Sequence, residues 1–148
     1  MIEVLIDIDV KAPPDEVFAF WSDHANNPSW QNGMKSCTWT SEPPIGVGST
    51  YDQEASFLGR PITTSFEVVE FEPGTKIRIT STVSTLPLDI TREVAPTAEG
   101  GTNLKATIRG EPGGLMKLMN PLSQRMVARN VNRDYARLKV LLDDPDGR

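Results

Sequence analysis

From residue 34 to residue 110 the chain is one series of short β-patterned segments, and from 113 to 144 it switches to helical period and does not switch back. That segregation constrains the fold more than any other feature. Strands gathered in one block and a helix gathered in another specify an α+β domain, not alternating βαβ units. The candidate strands span 35–42, 49–58, 62–72, 76–84, 88–95 and 103–110. They are separated by Pro43-Pro44-Ile45-Gly46, Gly59-Arg60-Pro61, Pro73-Gly74, Leu86-Pro87 and Glu99-Gly100-Gly101. Connections this short predict an antiparallel meander. A further strand precedes the block: Ile2, Val4, Ile6, Ile8 and Val10 alternate with Glu3, Leu5, Asp7 and Asp9. Seven strands in one antiparallel sheet are therefore expected.

Two short helices are expected after the first strand. Pro14, Asp15 and Glu16 suit a first helical turn, and Val17, Phe18, Phe20 and Trp21 give it an apolar face. Residues 22–33 are rich in turn formers, with Trp30 as their one large apolar group. In the terminal segment Leu115, Met119, Leu122 and Met126 share one face, and Val131, Tyr135, Leu138 and Leu142 share a face rotated from it. Pro121 removes a helical hydrogen bond, so the helix should kink or restart there with Asn120 as its cap. Asp143 and Asp144 oppose the dipole at the far end, which predicts fraying before a disordered tail at 145–148. The expected domain is 1–144. A twisted sheet wrapped on a straight rod leaves a gap between them, and such a gap is a ligand cavity.

Composition narrows the function. With 148 residues the chain is long enough for one domain, and folding at that size hides roughly 70% of the unfolded surface. The formal charge of −5 disfavours nucleic acid as a partner. No apolar run approaches a membrane span. No basic leader precedes the first strand, so a cytoplasmic location is expected. A single cysteine, Cys37, and a single histidine, His24, leave no multi-ligand metal site, and no metal or cofactor is expected. Positive charge concentrates in 115–148, where Arg125, Arg129, Arg133 and Arg137 recur every fourth residue. This stripe is a solvated helix face or a contact for anions.

The chain resembles the helix-grip superfamily of START-like and Bet v 1-like domains, in its polyketide cyclase/dehydrase-like branch (SRPBCC). The resemblance rests on six segments in order. They are Pro14-Asp15-Glu16-Val17-Phe18-Ala19-Phe20, the loop from Asp23 to Pro28-Ser29-Trp30, and Val47-Gly48-Ser49. Next come Phe66-Glu67-Val68-Val69-Glu70-Phe71-Glu72-Pro73 and Gly101-Thr102-Asn103-Leu104. The last runs from Pro121-Leu122 through Arg133-Asp134-Tyr135-Ala136-Arg137-Leu138-Lys139. It implies a curved seven-stranded sheet gripping the long C-terminal helix, with a hydrophobic ligand or a polyketide chain held between them.

Candidate cavity residues are Trp21, Trp30, Phe57, Phe66, Ser81, Met119, Met126, Asn130 and Asp134, with Met116, Thr107 and Arg109 as further polar or flexible partners. No catalytic residue is assigned. Glu67, Glu70 and Glu72 belong to the solvent side of a strand, His24 to an exposed loop, and Cys37 to a half-buried strand position. Three functions stay open. One is binding of a lipid, polyketide or isoprenoid-like molecule. A second is cyclisation or dehydration of a bound polyketide chain. The third is a membrane-surface or protein-interaction role for the basic helix. A homodimer also stays open.

Overall fold

The computed structural model describes residues 2–57, 59–82 and 86–144. Among them, seven strands form one antiparallel sheet: β1 (Ile2–Val10), β2 (Met34–Trp39), β3 (Thr50–Phe57), β4 (Arg60–Glu72), β5 (Lys76–Ser81), β6 (Leu88–Pro96) and β7 (Thr102–Gly110). The spatial order is β1-β7-β6-β5-β4-β3-β2. All six consecutive strands of the block pair as a meander, and β1 closes onto β7 from Ile2 opposite Gly110 to Val10 opposite Thr102. Register irregularities at Met34/Ser36 and Val68/Glu70 bend the sheet. The sheet therefore has a concave side, and the helices occupy it.

β1 and β2 are neighbours in sequence but opposite edges in space, so the segment joining them must cross the concave side. It does so as α1 (Pro14–Trp21) and a 3₁₀ turn (His24–Ser29). α1 buries Val17, Phe18 and Trp21. The 3₁₀ turn is capped by Asp23, whose Oδ1 accepts from the Ala25 amide (3.2 Å) and from Trp39 Nε1 (2.7 Å). The last connection starts with a second 3₁₀ turn (Gly114–Leu118) and then α2 (Pro121–Asp143). Pro121 thus restarts the helix, and Asn120 Oδ1 accepts from the Ser123 amide (2.8 Å).

Alternation decides which strand residues face inward. Ile2, Val4, Ile6 and Val10 of β1 are buried while Glu3, Leu5 and Asp7 are exposed. Phe66 and Val68 of β4, Ile77 and Ile79 of β5, and Leu104 and Ala106 of β7 continue the inner layer. Tyr135, Leu138 and Leu142 of α2 close it. The outer face carries the charges that alternation places there: Arg78 forms ion pairs with Glu70 (2.9 Å) and Asp89 (2.7 Å).

Two sequence expectations change. His24 is 1% exposed, not a solvated loop residue. Its ring stacks on Tyr51 (centroids 4.9 Å apart) and meets the edge of Trp39, so an apolar box holds it. The end of α2 is not left loose. The Lys11 amide donates to Asp143 Oδ1 (2.8 Å), the Ala12 amide donates to the Leu142 carbonyl (3.2 Å), and Lys139 pairs with Asp143 (3.1 Å). A contact from a different element outweighs the unfavourable dipole. The tail at 145–148 lies outside the described residues.

Candidate functional site

The concave side is packed solid where α1 lies and open where it ends. A cavity of about 610 Å³ occupies the open part, between the sheet and the first half of α2. β1 contributes Ile2 and Val4, β3 contributes Gln53 and Ala55, and β4 contributes Ile62 and Thr64. Leu88 of β6 and Ile108 of β7 form the middle of the sheet wall. The helical wall is Met116 and Met119 followed by Met126, Val127, Asn130, Val131 and Asp134 of α2. Ser56, Gly59, Met126 and Asn130 are exposed and mark the rim. Three methionines on one wall make it deformable, because the thioether chain adapts to irregular shapes. Gly110 permits this arrangement: a Cβ there would lie 2.7 Å from Ile2 Cγ2 and 2.9 Å from Met116 Sδ.

A recess of about 130 Å³ extends the cavity inward. It shares Leu88, Ile108 and Val131 with the main space, and its own walls are Asn27, Trp30, Tyr51, Ile90, Arg92 and Tyr135. Arg92 is 3% exposed. Its guanidinium lies over the rings of Trp21 (5.5 Å) and Trp30 (5.4 Å). One terminal nitrogen donates to the Trp21 carbonyl (2.7 Å) and to Asn27 Oδ1 (3.1 Å).

Asp134 joins the cavity to the loop above it. Its Oδ1 accepts from the Asn32 amide (3.0 Å) and from the Arg137 guanidinium, while Arg137 Nε donates to the Trp30 carbonyl (3.1 Å). Burial raises the Asp134 pKa, against the opposing pull of the Asn32 amide and Arg137. Burial also raises the Tyr135 hydroxyl. The Cys37 thiol is pushed by burial up to about 12, which leaves it protonated and unreactive.

The structure brings Met119, Met126, Asn130 and Asp134 to the cavity wall and Trp30 to the recess. Trp21, the last residue of α1, and Phe66 stand in the packed core, Phe66 beneath Tyr51, on which His24 of the 3₁₀ turn stacks. Trp21 meets the edge of Tyr135 and Phe66 stacks on Tyr51. Ser81 lies at the end of β5 and spends its hydroxyl on the Leu88 amide (2.9 Å). Phe57 is the last residue of β3, and its side chain lies outside the described residues. Thr107 and Arg109 point outward, because Ile108 between them points in; Arg109 pairs with Glu3 (2.7 Å). Sequence reasoning missed Gln53, Ala55, Ile62, Thr64 and Arg92. The alternation Leu88, Ile90, Arg92, Val94 was the available signal for Arg92, since it sets a charge in phase with three apolar residues.

The solved structure of a START superfamily protein from Mycobacterium smegmatis matches with a TM-score of 0.77 and 14% identity, over 95% of this chain and 96% of that one. TTHA0849 from Thermus thermophilus matches with a TM-score of 0.76 and 20% identity, over 95% and 96%. The Zhui aromatase/cyclase from Streptomyces sp. R1128 matches with a TM-score of 0.69 and 16% identity, over 95% and 90%. At these identities the likeness shows the helix-grip fold alone. A search of curated proteins finds no match. No helix among the described residues is long and apolar enough to cross a membrane. The family described as polyketide cyclase / dehydrase and lipid transport matches residues 1–143, and the chain belongs to it.

Proposed function

We propose that this protein binds a hydrophobic small molecule, of lipid, polyketide or isoprenoid type, in the space between the sheet and α2. The observation that carries this reading is the cavity of about 610 Å³ walled by Ile62, Leu88, Ile108, Val131 and four methionines. A volume of that order suits a small organic ligand, and a mostly apolar wall with a few polar groups is what such a ligand requires. The family description, with its pairing of cyclisation and lipid transport, supports the same class of ligand.

Thermal unfolding in the presence of a panel of lipids, polyketides and isoprenoids tests it. A ligand at ~100 times its Kd adds ~2.7 kcal/mol of stability. For a chain of this length that raises Tm by about 5–10 °C. Ala55 lines the cavity without being in the close-packed core. Ala55→Phe fills the space, so it should abolish the shift while the unliganded protein stays folded. An absent shift across all three ligand classes overturns the reading.

A further inference from the structure

Among the described residues, Arg92 is a buried cation without a counter-ion. None of the ion pairs among them involves it. Its Nε is buried with no acceptor, and so is Nε1 of Trp30 beside it. Both atoms can only donate. A buried charge is costly unless it is paired, and a buried donor left unmatched adds to that cost. Asn27, Tyr135 and Asp134 bring acceptor oxygens to the recess, and Tyr135 is hydrogen-bonded to Arg92, yet Arg92 Nε and Trp30 Nε1 stay unmatched in its wall.

Burial raises the pKa of Cys37, Tyr51 and Tyr135 and lowers that of His24, and the Arg92 charge pulls all four downward. Asp134 is the carboxylate in the recess wall, and its Oδ1 is held by Arg137 and the Asn32 amide. With Asp134 matched to Arg137, the positive charge of Arg92 is left over.

We propose that the recess is the head-group end of the cavity and that Arg92 receives the carboxylate of an amphipathic ligand. The apolar part of that ligand runs past Leu88, Ile108 and Val131 toward Met126 and the rim. This inference rests on the ligand-binding reading above and narrows its ligand to an acid.

The test is intrinsic-fluorescence titration, with Trp30 at the recess as reporter, using dodecanoate, dodecanol and methyl dodecanoate. The three share one chain and differ in charge. Dodecanoate should bind the wild-type protein at least about tenfold more tightly than the other two, as a charge-assisted hydrogen bond implies. Arg92→Gln should remove the preference, so that the variant binds dodecanoate no more tightly than it binds dodecanol. Equal affinity for acid, alcohol and ester overturns the carboxylate assignment, makes Arg92 a structural pin, and leaves the apolar-cavity reading standing. Absence of binding by all three overturns the carboxylate assignment, while the panel of lipids, polyketides and isoprenoids decides the cavity reading. Arg92 also holds the Trp21 carbonyl and Asn27. If Arg92→Gln does not fold, the comparison of acid with alcohol on the wild-type chain decides the matter alone.

Discussion

His24 shows how far a single side chain can couple this fold to pH. Its Nδ1 lies 3.0 Å from the Ser22 carbonyl, which can only accept, so Nδ1 carries the proton and Nε2 is a buried lone pair. Burial is the main cause that lowers its pKa well below the usual 6.5, and the charge on Arg92 adds to it. In the unfolded chain the ring takes a proton as pH falls through 6.5, while in the folded chain it stays neutral. The unfolded state then binds more protons, and stability falls with pH at up to about 1.4 kcal/mol per unit below that point. His24→Phe keeps a ring against Tyr51 and removes the titration. Urea unfolding between neutral pH and pH 5 should give a shallower loss of stability for His24→Phe than for the wild type. The sequence could not show this, because burial of His24 is produced by Trp39 and Tyr51, on the next two strands of the chain.

At the level of elements, period was the reliable guide and crossing segments were not. Alternation in β1 and the restart at Pro121 were both legible, since each is set by neighbouring residues. Which apolar residues line the cavity was not. That depends on where α1 and the 3₁₀ turn lie over the sheet, and it separates Trp21 and Phe66 in the core from Met119 and Met126 at the wall. α2 itself is uneven along its length. Tyr135, Leu138 and Leu142 are its buried residues, whereas Leu122 is 72% exposed. Leu138→Ala should therefore cost about 2–5 kcal/mol. Asn120→Ala, which deletes only the cap, should cost about 1 kcal/mol. Leu122→Ala should stay within about 0.5 kcal/mol of the wild type. Denaturant midpoints for the three variants check the gradient.

For the whole molecule, one half of the interior is a close-packed core and the other half is a cavity, and the same sheet and the same helix bound both. Close packing and cavity wall thereby fall to different lengths of α2. The C-terminal turns are fastened to the start of the chain through Lys11, Ala12 and Asp143, while the N-terminal turns rest on methionines after Gly113, Gly114 and Pro121. A helix fastened at one end and bordering a cavity at the other should open at its unfastened end, with the fastened turns held in place. Hydrogen exchange should accordingly be fast over 121–131 and slow over 135–142 in the empty protein, and an occupied cavity should slow only the first stretch.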